Sequence, residues 1–339
     1  MCLCEGGSSP DNLKTMTESI QSIINWAEKY LIARGYCLTG SSVPVQITSY
    51  SSVIRILTST GSVYLKQNPK GLSLEPNIIQ ILHDNLQSNV PIILAINDEL
   101  NCFLVNDVGD PLRTKLKQQF QPDLLWQAVK LYTQIQSSTT EHIQNFLELG
   151  VPDWRLKNFP SLYRQLIHKT DFLKADGLLD IELETLDRLL PTVSSLCTQL
   201  SYFKLPETLD HCDFHDNNIL IKENTLDMTI IDWGECVITH PFFSLITCLN
   251  QATRHYNLKE SDRNYSELQD ACFHHWLNSR SKDDLLDMMH IAKCLWPIYS
   301  ALAIHRLVTC ANLNIEIEPL RFKGRLTRYL KDFIKINTQ

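Results

Sequence analysis

Apolar positions along the chain alternate between two periods. From Leu13 to Ala33, Ile20, Ile23, Ile24, Ala27, Tyr30 and Leu31 recur at helical spacing, and Gly35 stands where such a helix would stop. Residues 1–11 are polar and read as frayed. The stretch VPVQITSYSSVIRILTSTGSVYLKQ (43–67) is rich in β-branched and hydroxyl residues, which predicts three strands joined by a bend at 49–52 and a turn at Thr60-Gly61. LEPNIIQILHDNL (74–86) returns to the helical period through Ile78, Ile79, Leu82 and Leu86. PIILAI and NCFLVND then read as two strands around a turn at Asn97-Asp98. Residues 39–106 are expected to form a small, mostly antiparallel sheet carrying one helix.

Beyond NDVGDPLR (106–113) helical patterns take over: Leu124 to Ile135 is amphipathic, residues 161–202 read as two helices, and helices resume from Pro241 to the end. The last of these puts Leu326, Tyr329, Leu330 and Phe333 on one face and basic groups on the other, the ordinary stripe of a helix packed on its own lobe. Residues 205–235 interrupt the helices. Ile219–Ile221 reads as a strand, Lys222–Thr225 as a turn, and Met228–Ile231 as a return strand ending at Asp232.

Just before that hairpin stands HCDFHDNNIL (211–220), and two chemistries could use it. His211 and His215 could be transition-metal ligands, but their spacing helps only on a helix, HCDFHDNN is poor helix material, and no third soft ligand stands at a diagnostic distance. The alternative is phosphoryl transfer. An antiparallel hairpin brings its open ends together, so Asn218 entering and Asp232 leaving it are expected to be neighbours, offering the oxygen ligands that magnesium takes. Asp213, five residues before Asn218, could reach a substrate hydroxyl beside a metal-bound phosphate.

HCDFHDNNIL followed by IIDWGE resembles the aminoglycoside phosphotransferase and choline kinase family, whose motif runs roughly His-Gly-Asp-x-His-x-x-Asn-(Ile/Val)-Leu and then Ile-Asp-(Trp/Phe). HPFFSL (240–245) resembles that family's Asp-Pro-x-x-Asp-Leu segment. Cys212 replaces the usual glycine, and Ser244 stands where an aspartate commonly steadies the catalytic loop. The resemblance implies a two-lobed α+β, protein-kinase-like fold: a nucleotide-binding small lobe over 1–106, a hinge at 107–110 and a helical large lobe over 111–339. It implies an ATP- and magnesium-dependent phosphotransferase acting on a hydroxyl of a small molecule. Asp213 would be the base, and Asn218 and Asp232 the metal ligands. A catalytically weak regulatory pseudokinase, or a kinase of protein hydroxyls, is the alternative reading.

Such a fold needs a lysine on a small-lobe strand, and SVYLKQ offers Lys66. Glu75 is its expected partner, with a simple helix cap as the competing role, since Pro76 belongs to a first helical turn. The nucleotide loop falls at Ser49 to Ser52, with Ser51 and Ser52 as phosphate contacts in place of glycines. FLVNDVGD resembles the hinge, where adenine would meet backbone groups at Asn106 and Val108. His211 reads as a loop residue fixing a carbonyl, while His215 stands where kinases place a cation. Glu235 and Asp262 could meet a cationic substrate, though each reads first as a solvated charge.

Composition narrows the partners. A formal net charge of -7 disfavours nucleic acid and suits a cationic or neutral small substrate. Eleven scattered cysteines without a Cys-x-x-Cys pair suggest a reducing compartment. The N-terminus lacks the apolar stretch of a signal peptide and no apolar run reaches the ~18 residues of a membrane span, so a cytoplasmic protein is expected.

Overall fold

In the computed structural model, which describes residues 10–48, 50–313 and 322–338, the first helix α1 (Pro10–Ala33) ends where Gly35 takes a φ of +86°. There the Tyr36 N–H turns back to the Leu31 carbonyl at 3.0 Å. Five strands follow as an antiparallel sheet in the order β1-β2-β3-β5-β4. They are β1 (Val43–Thr48), β2 (Ser51–Thr58), β3 (Gly61–Gln67), β4 (Ile93–Asn97) and β5 (Cys102–Asn106). Pleating sends Ile54, Ile56, Val63, Leu65 and Leu104 to one face, where they bury Ile23, Ala27 and Leu31 of α1. Each such aliphatic contributes ~1.5–3 kcal/mol when fully buried. Helix α2 (Glu75–Gln80) lies on the opposite side of the sheet and widens into a single broader turn over Ile81–Asn85.

The chain crosses into the large lobe through β6 (Asp110–Pro111), which pairs with Ile221 and Leu220. Gly109 makes that possible: its φ is +106°, and an added Cβ would stand 2.3 Å from the Ile221 carbonyl oxygen. Next come α3 (Leu112–Gln118), α4 (Pro122–Thr139) and α5 (Ile143–Leu149).

Residues 161–202 hold parts of four helices, where sequence periodicity predicts two: α6 (Phe159–Ile167), α7 (Thr170–Asp176), α8 (Asp180–Arg188) and α9 (Leu190–Tyr202). Gly177, at φ +118°, ends α7, and Pro191 cannot continue the hydrogen-bond ladder of α8, so a new helix starts there.

Three short strands then build the site: β7 (Thr208–Asp210), and the hairpin of β8 (Ile219–Ile221) and β9 (Met228–Ile230), paired Ile219 to Ile230. β10 (Val237–Thr239) pairs antiparallel with β7. Helices α10 (Phe242–Tyr256), α11 (Arg263–Phe273), α12 (Lys282–Cys310) and α13 (Arg325–Thr338) complete the lobe. Leu326, Leu330 and Phe333 of α13 are buried in the main core, and Asp176 of α7 accepts the Gly324 and Thr327 N–H groups at its start, both at 2.7 Å. The final helix therefore packs on its own lobe. Among the described residues no helix is long and apolar enough to cross a membrane. The architecture is the expected two-lobed α+β fold.

Candidate active site

Lys66 leaves β3 on the face opposite α1, paired across the sheet with Val53 and Phe103. Its ammonium lies 2.7 Å from Glu75 and 2.5 Å from Asp232, joining the sheet, α2 and the segment after β9. Glu75 is buried and fully engaged: it also accepts the Asn68 side-chain amide at 2.6 Å and the Trp233 N–H at 3.1 Å. It stands in the first turn of α2, so its place in the helix and its ion pair coexist. Burial opposes the Lys66 ammonium, but Asp232 and Glu75 outweigh it and raise its pKa. Burial likewise works against the Asp232 carboxylate, and Lys66 holds it below its usual value. Burial pushes the Glu75 carboxyl up against the pull of Lys66.

Across the cleft, the hairpin brings Asn218 and Asp232 together through the Ile231 N–H, which donates to the Asn218 carbonyl at 3.0 Å. The Asn218 amide donates to the Asp213 carbonyl at 2.9 Å and to its carboxylate at 3.3 Å. Asp213 is half exposed to the cleft, with His215 Nε2 at 3.3 Å. Burial pulls the Asp213 carboxyl up, yet His215 and the donated hydrogen bonds bring it down to about 2. Burial disfavours the His215 imidazolium, and the Asp213 charge overrides it, so its pKa is raised. His211 is fully buried, kept neutral by that burial, and donates from Nε2 to the Ile231 carbonyl at 2.8 Å. The two imidazoles thus have separate tasks. Among the described residues no three His, Cys, Asp or Glu side chains converge as a metal cage.

The nucleotide-side expectations divide. Ser51 shares the Lys66 face, and its N–H is tied to Thr48 Oγ1 at 2.9 Å. Ser52 pairs with Gln67, one step off Lys66, and is buried on the α1 face. Its hydroxyl therefore points away from the lysine, because the bend is short and β2 pleating already governs Ser52, which leaves its backbone as the part that could meet a phosphate. Ser49 lies outside the described residues. At the hinge, the Asn106 N–H is taken by the Ile92 carbonyl at 3.3 Å, leaving only its carbonyl for a ligand. Val108 is buried beside it.

Several contributors have no sequence signal. Asp216, buried within the motif, accepts Arg113 at 2.6 and 2.8 Å and the Tyr256 hydroxyl, tying the catalytic loop to α3 and α10. Arg306 of α12 holds the Glu235 carbonyl at 2.6 Å and that of Cys236 at 3.1 Å. Burial, then Asp213 and Asp232, push the Glu235 carboxyl up to about 8, which marks it as part of the same acidic cleft. Asp262 instead accepts the Lys259 N–H in the turn before α11. Only long-range pairing, from the 40 positions between Asp216 and Tyr256 to the 103 between Arg113 and Asp216, could have announced these contacts.

Residues 45–271 match the sequence profile described as the phosphotransferase enzyme family. No curated protein matches the sequence. Among solved structures, the ethanolamine kinase of Plasmodium vivax superposes with a TM-score of 0.62 at 13% identity, covering 86% of this chain and 82% of that one. The structure of APH(2")-IIia in complex with GDP and kanamycin gives 0.60 at 14% identity, over 93% and 99% of the two chains. The choline kinase LicA of Streptococcus pneumoniae gives 0.57 at 13%, over 92% and 98%. At these identities the likeness is one of fold, and that fold is protein-kinase-like.

Proposed function

The chain belongs to the phosphotransferase enzyme family, and from that premise we propose that it transfers the terminal phosphoryl group of ATP to a hydroxyl of a small molecule in the cytoplasm. The observation that carries this reading is the meeting of Lys66, Asp232, Asn218 and Asp213 around one cleft, from both lobes. Magnesium fits the donors present: the Asn218 amide gives its N–H to Asp213, which leaves its carbonyl oxygen as an acceptor next to the half-exposed Asp232 carboxylate. When bound, the ion would neutralise charge on the phosphates.

Lys66, held between two carboxylates, is set to meet the nucleotide phosphates, with Glu75 preventing its collapse onto Asp232 alone. The Val108 backbone and the Asn106 carbonyl are the proposed adenine contacts, and Ser51 the remaining serine on the phosphate side. Asp213 orients the acceptor hydroxyl. With a pKa of about 2 it is a weak base, so it takes the proton only as the new bond to phosphorus forms. Positioning and charge neutralisation then supply most of the rate. Asp213 and Asp232, both held ionised, make the cleft acidic, which favours an acceptor carrying an amine.

The test is a screen of hydroxyl metabolites, amine-bearing and neutral, with magnesium and ATP labelled on its terminal phosphate. Transfer to one or a few amine-bearing alcohols is expected. Labelling of protein hydroxyls alone, or none with any acceptor, would contradict the reading.

A further inference from the structure

Asp210, the last residue of β7, is completely buried, and among the described residues no cation pairs with it. A carboxylate in such a place is costly unless donors surround it. Five do. Oδ1 accepts the Ser244 hydroxyl at 2.6 Å, the Tyr299 hydroxyl and the Cys212 N–H at 3.3 Å. Oδ2 accepts the Ser244 N–H at 3.3 Å and the Tyr132 hydroxyl at 3.5 Å. Donors from α4, α10, α12 and the catalytic loop therefore meet on one side chain. Even so, burial raises its carboxyl to about 6, so hydrogen bonds rather than an ion pair hold it ionised at neutral pH.

What these bonds hold is the backbone leading to Asp213. Cys212 takes a left-handed φ of +67°, a conformation that costs a non-glycine residue ~1–2 kcal/mol and needs fixing from outside. Its N–H goes to Asp210. The preceding N–H, of His211, goes to the Tyr132 hydroxyl at 3.0 Å, and Tyr132 stacks at 3.9 Å on Phe214, the residue after Asp213. Asp210 and Tyr132 thus grip the loop on both sides of its base. Helix α10 brings no acid to this point: at Ser244 it offers a hydroxyl and a backbone N–H, and both are donors to Asp210.

We propose that Asp210 is a positioning residue for the transfer step: its carboxylate, delivered from β7, fixes the Cys212 backbone and with it the aim of Asp213, the task an acid at position 244 would perform from α10. This rests on the role proposed above for Asp213. The position of the charge, not its chain of origin, is what the geometry requires. An exchange of the two side chains is therefore expected to preserve it.

The experiment compares Asp210→Ser, Ser244→Asp and the exchanged double variant. Asp210→Ser leaves the Cys212 N–H without its acceptor, and Ser244→Asp sets two buried carboxylates together. Each is expected to lower kcat by ~10²-fold with little change in KM for ATP, the scale of a misaimed catalytic group. The double variant is expected to recover at least about a tenth of wild-type kcat. A double variant that fails to fold, or folds but is no better than the worse single variant, overturns the proposal. Hydrogen exchange over residues 211–214, in wild type against Asp210→Leu, which is close in volume but offers no acceptor to the Cys212 N–H, supplies a readout independent of turnover. Exchange there is expected to quicken about tenfold while the rest of the lobe is unchanged. Unchanged exchange overturns the anchor, whereas quickened exchange in a chain that transfers no phosphate upholds the anchor and faults only the proposed reaction.

Discussion

Glu75→Ala removes the one side chain that joins Lys66, Asn68 and Trp233. The Trp233 N–H, bonded to Glu75 at 3.1 Å, becomes a buried orphan at ~1–3 kcal/mol. The Asn68 amide keeps only a 3.4 Å contact to the Leu72 carbonyl. Lys66 loses one of two carboxylates; because Asp232 remains, the loss falls below the ~3–5 kcal/mol of a buried charge stripped of its only partner. A total of about 3 kcal/mol is expected, roughly 6 °C of melting temperature at ~2 °C per kcal/mol for a large domain. Glu75→Gln keeps the volume and an acceptor for Trp233, so it should retain most of that stability while still weakening productive use of ATP. The assay is a double-mutant cycle with Lys66→Met that records melting and turnover together. Coupling of at least ~1 kcal/mol is expected in both, since residues acting as a unit are not additive. A cost near ~1 kcal/mol, additive with Lys66→Met and without effect on ATP kinetics, would reduce Glu75 to a helix-end residue.

Other consequences are open to measurement. ATP should raise the melting temperature strongly only with magnesium present, by ~2.7 kcal/mol of stabilisation at a hundredfold excess over Kd, and Asp232→Ala should abolish the magnesium dependence; equal shifts in both proteins would count against the site. Gly109→Ala forces a side chain into positive φ and against the Ile221 carbonyl, so a denaturant midpoint should report a loss above about 2 kcal/mol, and a loss under about 0.5 kcal/mol would refute the close approach. Asp213 has a folded pKa of about 2 against ~3.9 when unfolded, so its ionic contribution to stability is present above pH ~4 and fades as pH falls toward 2. The melting-temperature difference between wild type and Asp213→Asn should accordingly narrow on acidification, and a constant difference would mean that the His215 contact does not form in solution.

The hairpin was legible because strand pairing is a geometric constraint: once Ile219–Ile221 and Met228–Ile230 are strands, Asn218 and Asp232 must meet. Lys66 was legible for a similar reason, since alternation along β3 leaves it opposite the α1 face. Where the chain bends, alternation has no fixed origin, and the sequence alone did not tell which way the Ser52 side chain points. Apolar periodicity also runs on through Gly177 and Pro191, so it merged four helices into two, although those residues stop the ladder. The anchors of the catalytic loop were out of reach altogether. Nothing in the sequence singles out Asp210, and its four partner residues are scattered between Tyr132 and Tyr299.

The most direct measurement is phosphoryl transfer by Asp213→Asn beside wild type, with magnesium-ATP affinity determined on the same preparations. The account predicts that the fold and the nucleotide affinity are retained while transfer falls by ~10²–10⁴, the usual consequence of losing a positioned carboxylate at the acceptor hydroxyl. A variant that keeps more than about a tenth of wild-type transfer would show that the chemistry occurs without Asp213 and would contradict the site proposed for this chain.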